Sequence, residues 1–168
     1  EKINNPFEIV EFEDDIFGFS VEWLNEFRLR YKLKIGLPFI CNMRPELISE
    51  EVLCLLKEAG CVSIWVGVEA KNERIRKEVY KKNISDDDIK RAAAILHAQH
   101  IKFLTFNMVG APFETTEHMA ETIRLNQEIK TDYPWCSIMQ PYPGTEIFNY
   151  CVENGLIASS AEINSFTY

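Results

Sequence analysis

The sequence has 168 residues, enough for one domain and marginal for two. Apolar residues make up 46% and aromatics 12%, which excludes a disordered chain. Eighteen Lys and Arg against 26 Asp and Glu leave a net charge of −8, which argues against general nucleic-acid binding or an anionic-membrane surface, and no apolar run reaches the ~18 residues of a bilayer span.

Along the chain, apolar strand-like runs alternate with amphipathic helices. The first strand is expected over 7–12 (FEIVEF), followed by Glu13, Asp14 and Asp15. A helix follows over 20–31, with Ser20 as N-cap and Trp23, Leu24 and Phe27 on one face. The second strand is expected over 36–41, then Asn42, Met43, Arg44 and Pro45, then a helix over 49–59 closed by Gly60. The third strand spans 61–68 and runs into Glu69, before helical pieces over 73–80 and 86–99. In the second of these, Ser85 is the cap and Asp86, Asp87 and Asp88 fill the first turn. The fourth strand spans 101–109, ends in Gly110-Ala111-Pro112 and leads to a helix over 116–130. The fifth spans 135–140, ends in Pro141-Tyr142-Pro143-Gly144-Thr145 and leads to a helix over 146–154.

Five βα units in succession imply parallel strands with right-handed crossovers. The nearly continuous apolar runs suggest strands covered on both faces. An open doubly wound sheet and a β/α barrel both fit. The absence of G-x-G-x-x-G and of a P-loop weighs against nucleotide-binding versions of the former, and five units are too few for a closed eight-stranded barrel.

In such folds the site lies at the carboxyl ends of the strands. The residues there are Asp14 and Asp15, Asn42 and Arg44, Glu69, Val109 and Gly110 with Glu114, and Gln140 with Tyr142. Converging carboxylates and free backbone groups suit amino, ribose and adenine edges better than phosphate, which prefers basic or glycine-rich helix starts. Glu69 ends an all-apolar strand, a costly place for a carboxylate without a partner or a ligand. Asp14 and Asp15 serve equally as caps, Arg44 as an ion-pair partner, and Thr145 as an N-cap. The five cysteines are odd in number and contain no C-x-x-C, so they read as buried free thiols of a reducing cytoplasm.

Taken in order, FEDDIF (12–17), WVGVEA (65–70), NMVGAPFET (107–115) and PYPGTEIF (141–148) resemble the radical S-adenosylmethionine (SAM) superfamily. The likeness is greatest to the branch associated with cobalamin-binding domains and related to methylthiotransferase and Elongator-type enzymes. The stretch 41–61 before the Gly-Val-Glu strand fits that branch too. The resemblance covers roughly 7–157 and implies a parallel, TIM-type (β/α)6 partial barrel, α/β in class, of which about five βα units are present. It implies that Asp14 and Asp15 lie by the SAM amino group and Glu69 by its ribose or methionyl part. Arg44 belongs to the same cofactor set. Val109 and Gly110 would border adenine, as would Gln140 to Tyr142.

The resemblance also implies a [4Fe–4S] cluster, cobalamin as a further cofactor of the branch, and an electron donor such as flavodoxin or ferredoxin. The reaction would be reductive cleavage of SAM to a 5′-deoxyadenosyl radical, for methylation, thiolation or cyclisation of a substrate that the sequence does not name. The family's C-x-x-x-C-x-x-C cluster motif is absent from this sequence. With Glu1 in first place, that suggests the C-terminal portion of a barrel (1–157) plus a tail (158–168), with the cysteines upstream and the isolated chain inactive. A cluster-less barrel serving as a binding or scaffold subunit, and an aldolase-like lyase, are the alternatives.

Overall fold

The computed structural model describes residues 7–157, so the expected tail over 158–168 lies outside it. Five strands form one parallel sheet: β1 (Val10–Phe12), β2 (Phe39–Met43), β3 (Cys61–Glu69), β4 (Lys102–Val109) and β5 (Tyr133–Ile138). Their spatial order is their sequence order, β1-β2-β3-β4-β5. A doubly wound sheet would reverse direction at a switch point, so this order is that of a barrel wall. The helices are α1 (Val21–Lys34), α2 (Glu50–Ala59), α3 (Asp86–Ala98), α4 (Thr116–Glu128) and α5 (Glu146–Glu153).

Local chemistry fixes most helix starts. The side chains of Ser20, Ser49, Ser85, Thr115 and Thr145 each accept a hydrogen bond from a backbone N–H in the first turn. Ser85 and Asp88 complete a reciprocal capping box. Gly60 closes α2 at φ 111°, a left-handed conformation that favours glycine.

Alternation along the strands divides the sheet. Phe39, Cys41, Ile64, Val66, Val68 and Phe103 enter one continuous core with Leu24, Leu53, Leu56, Ile89, Leu96 and Leu125 of the helices. At one end of this core Phe12, Phe17, Phe27, Tyr31 and Phe39 interlock, with neighbouring ring centroids between 4.7 and 5.9 Å apart. The opposite face carries Asn42, Trp65, Gly67, Phe106 and Met108, all half-buried. The expectation of strands covered on both faces is therefore corrected. One face is packed by helices and the other is the concave wall of the barrel. β5 is exposed along its whole length as an edge strand, where Pro134 is tolerated.

Other boundaries shift as well. β1 is three residues long, and β2 begins at Phe39 and continues through Asn42 and Met43. α1 continues to Lys34, and β5 begins two residues early at Tyr133. The expected helical piece over 73–80 is present over 73–79, with its last five residues, Ile75–Val79, wound as a wider π-helical turn. Of the cysteines, Cys41, Cys61 and Cys151 are buried, but Cys54 and Cys136 are exposed. Cys136 stands on the edge strand, where no described element covers it.

Candidate functional site

The carboxyl ends of the strands meet at a cleft of about 680 Å³ on the concave face. Asp15 and Ile16 enter it after β1, Asn42, Met43 and Arg44 from β2, and Trp65, Gly67 and Glu69 from β3. Phe106, Asn107 and Met108 of β4 and Trp135 and Ser137 of β5 form the far wall, and Lys82 reaches in from the loop before α3. Of the residues singled out in the sequence, Asp15, Asn42, Arg44 and Glu69 are brought together here. Asp14 takes part through its carbonyl, which accepts a hydrogen bond from Asn42 Nδ2 at 3.2 Å.

Glu69 is the last residue of β3 and 6% exposed, with φ 65°. A register shift between Gly67 and Glu69 places this bulge at the barrel rim. The Glu69 carboxylate pairs with the Lys82 ammonium. That ion pair lies across the bare backbone of Gly67. A Cβ at Gly67 would sit 2.6 Å from Lys82 Nζ and 2.8 Å from Glu69 Oε1. Beside it, Arg44 Nη2 pairs with Glu46 at 2.5 Å, while Arg44 Nε and Asn42 Oδ1 are buried with no partner. A buried donor and a buried acceptor left open cost about 1–3 kcal/mol each, so they are groups that a polar ligand would satisfy. Trp65 and Phe106 meet edge to face at 5.7 Å and give the cleft an apolar wall.

The remaining sequence candidates sit elsewhere along the same edge. Val109 ends β4, and its carbonyl accepts from Met139 N at 2.8 Å. The Gly110 N–H, at φ 85°, is already given to Glu114 Oε2 at 2.5 Å. Gln140 is exposed beyond β5, and Tyr142 accepts from the Thr145 hydroxyl at 2.7 Å through its carbonyl. None of these four lines the cleft. Nearby, burial pushes the Tyr80 hydroxyl up, and the charges of Glu114 and Glu69 add to the shift.

Sequence reasoning passed over Lys82, Gly67 and Asn107. Gly67 did carry a signal, because a lone glycine inside a strand marks close approach of another group. Lys82 carried none, since it lies 13 residues from its partner Glu69 at the far end of a loop. Asn107 belongs to a buried network. Its Nδ2 donates to Trp135 O at 2.9 Å, and its Oδ1 accepts from Asn126 Nδ2 at 2.9 Å.

A second cleft, of about 740 Å³, lies between the 75–79 turn, Phe113 and α5. Its charged groups satisfy one another, Arg74 with Glu78 at 2.7 Å and Lys81 with Glu146 at 3.1 Å. It therefore offers a polar ligand less than the concave cleft does.

The donor sets of the chain separate two cofactors. The concave cleft presents one ammonium, two carboxylates and an apolar wall, with two unpartnered polar atoms buried in its lining residues, a set that would suit an amino-acid moiety with a nucleoside. An iron–sulfur cluster meets no such set. Cys41 and Cys61 are buried in the helix-packed core rather than at the cleft, and a hydrogen bond with Cys61, then burial, push the Cys41 thiol up. Among the described residues no group of three or more His, Cys, Asp and Glu is placed to hold a metal.

The family described as the Radical SAM superfamily matches residues 19–125. An uncharacterized methyltransferase of Pyrococcus horikoshii is 30% identical over 153 residues, covering 88% of this chain and 32% of that protein. The bacteriochlorophyllide d C-12(1)-methyltransferase of Chlorobaculum tepidum is 23% identical over 138 residues, covering 82% of this chain and 30% of its own length. The structure of the radical SAM methyltransferase TsrM from Kitasatospora setae, with cobalamin and a [4Fe–4S] cluster bound, superposes with a TM-score of 0.76 at 18% identity. That match covers 88% of this chain and 31% of TsrM. The chain thus spans about a third of the length of the curated relatives it matches.

Proposed function

Because this chain belongs to the radical SAM superfamily, we propose that its concave cleft is the part of the SAM site it contributes, and that the whole protein is a methyltransferase. The observation that carries the reading is the Glu69–Lys82 pair laid over Gly67, at the strand ends where a parallel β/α fold places its ligand. Methylation is taken over thiolation or cyclisation because both curated relatives above bear methyltransferase names.

When bound, SAM supplies a sulfonium centre for radical or methyl-transfer chemistry, and the protein supplies binding, orientation and electrostatics. Lys82 offers its ammonium to the methionyl carboxylate. Glu69, released in part from Lys82, accepts hydrogen bonds from the ribose hydroxyls or the methionyl amino group. Asp15 adds a second carboxylate for that amino group. Asn42 Oδ1 and Arg44 Nε are the open acceptor and donor at the same end. Trp65, Phe106 and Met108 keep water from the apolar side. The adenine contacts remain assigned to the edge formed by Val109, Gly110, Gln140 and Tyr142. With its N–H held by Glu114, Gly110 would act there through shape rather than by donating.

The cysteines of this sequence do not fit a [4Fe–4S] cluster, so we assign its ligands to other parts of the whole protein. An electron donor of flavodoxin or ferredoxin type and cobalamin belong to the same proposal, as does a cytoplasmic setting. TsrM, with its bound cobalamin, supports the cobalamin assignment through its fold. Among the described residues no helix is long and apolar enough to cross a membrane.

The test is SAM titration calorimetry on the whole protein. Lys82→Met and Glu69→Gln each remove a charge-assisted contact and are expected to weaken SAM by about tenfold or more. Wild-type affinity in both variants would overturn the reading.

A further inference from the structure

Arg76 is 0% exposed, the largest fully buried side chain among the described residues, and it lines neither cleft. A guanidinium in that position is costly unless each of its nitrogens finds a partner. It donates from Nε to Ile84 O at 2.9 Å, from Nη1 to Ala70 O at 2.8 Å and from Nη2 to Asp86 Oδ1 at 2.8 Å. The other oxygen of Asp86 is held by Lys71. The backbone of Arg76 adds two more ties, its N–H to Asn72 O at 3.0 Å and its carbonyl from Lys82 N at 2.9 Å.

These bonds converge on the backbone that flanks the ion pair. Ala70, whose carbonyl is captured, directly follows Glu69 at its left-handed turn. Lys82 is fixed at its own backbone nitrogen by Arg76, and Ile84, two residues later, by the guanidinium. The segment from 70 to 86 is therefore wound around one side chain, and its two ends present Glu69 and Lys82 to each other. A planar fork with donors at fixed angles can bridge two carbonyls and a carboxylate at once, whereas a lysine ammonium is a point charge on a flexible stem.

We propose that Arg76 is a positioning residue for SAM. It sets the geometry of Lys82 and Glu69 toward the methionyl half of the ligand, without touching it. This rests on the assignment of that pair to SAM made above.

The test compares two ligands on the whole protein by calorimetry: SAM, and 5′-methylthioadenosine, which shares the nucleoside but lacks the amino-acid group. Arg76→Lys is expected to weaken SAM by about tenfold or more while changing 5′-methylthioadenosine less than about twofold. A residue that only stabilises the fold would weaken both in parallel, and that result, or unchanged SAM affinity, overturns the proposal. If Arg76→Lys does not fold, Asp86→Asn, which removes the guanidinium's charged partner, is judged by the same ratio. Lys82→Met separates the two levels. A changed ratio in Lys82→Met without one in the Arg76 or Asp86 variant refutes the positioning role alone. No change of ratio in Lys82→Met refutes the assignment on which it rests.

Discussion

Gly67→Ala tests the cleft with a single methyl group. Gly67 is not among the residues at positive φ, so its backbone accepts alanine without strain. The new Cβ would stand 2.6 Å from Lys82 Nζ and 2.8 Å from Glu69 Oε1, closer than contact allows. The lysine end is flexible and gives way first, which breaks its pair with Glu69. A charge-assisted hydrogen bond contributes roughly 1.5–3 kcal/mol. With the Lys82 side chain 35% exposed, the lower end of that range applies. Replacing glycine in a strand returns about 0.5–1 kcal/mol of backbone entropy. The net loss is then about 0.5–1 kcal/mol, or a fall in Tm of roughly 1–4 °C for a domain of this size. SAM affinity is expected to fall far more, by about tenfold or more, because both ligand contacts move together. Thermal melts and SAM titration on the whole protein measure the two effects. On a Lys82→Met background the extra loss of affinity from Gly67→Ala should shrink, as neighbouring residues are not additive. Unchanged SAM affinity, or a fall in Tm beyond about 10 °C, would refute a side-chain collision confined to this pair.

Two further outcomes concern the scaffold. Phe39→Ala removes a ring that is 0% exposed and in contact with Phe12, Phe17, Phe27 and Tyr31, and it is expected to cost about 3–5 kcal/mol in denaturant unfolding. A cost under about 1 kcal/mol would show that this end of the core collapses to fill the space. Asp86 gives a pH signature. Burial raises its pKa, but the hydrogen bonds and charges of Lys71 and Arg76 outweigh that and hold the carboxyl below its ordinary value. A depressed folded-state pKa adds stability above the unfolded value near ~3.9 and loses it as pH falls through the folded value. Asp86→Asn should therefore flatten the loss of Tm as pH falls below about 4, and an unaltered acid limb would contradict the pairing of Asp86 with Lys71 and Arg76.

Much of the scaffold was legible because its signals are local. Ser20, Ser85 and Thr145 were each expected, or read, as caps, and each accepts a first-turn N–H. Strand ends slipped by a few residues where propensity and pairing disagree. Asn42 and Met43 read as a turn before Pro45, yet β3 offers Trp65 and Val66 beside them and draws both into β2. Residues 73–80 have helical spacing and are helical over 73–79, although the spacing did not show that the last five residues widen into a π-helical turn. The site was half legible. Asp15, Arg44 and Glu69 stand where strand ends predict ligand residues, whereas Lys82 meets Glu69 from 13 residues away, a pairing that no local signal carries.

The sequence by itself determined five βα units, an acidic surface, the absence of a cysteine triplet and the edge of the sheet at which function would gather. These follow from composition and from periods of two and 3.6 residues, which each segment carries alone. The run pattern alone left a doubly wound sheet and a barrel wall both open; the family resemblance implied the barrel, and the strand order of the tertiary structure bore it out, because order depends on which neighbours pair rather than on any single run. Only the structure paired Glu69 with Lys82 across Gly67 and tied Ala70, next to Glu69, and the Lys82 backbone to Arg76. Such contacts exist once burial has made an unmatched charge costly, and that cost is a property of the packed interior rather than of the sequence that enters it.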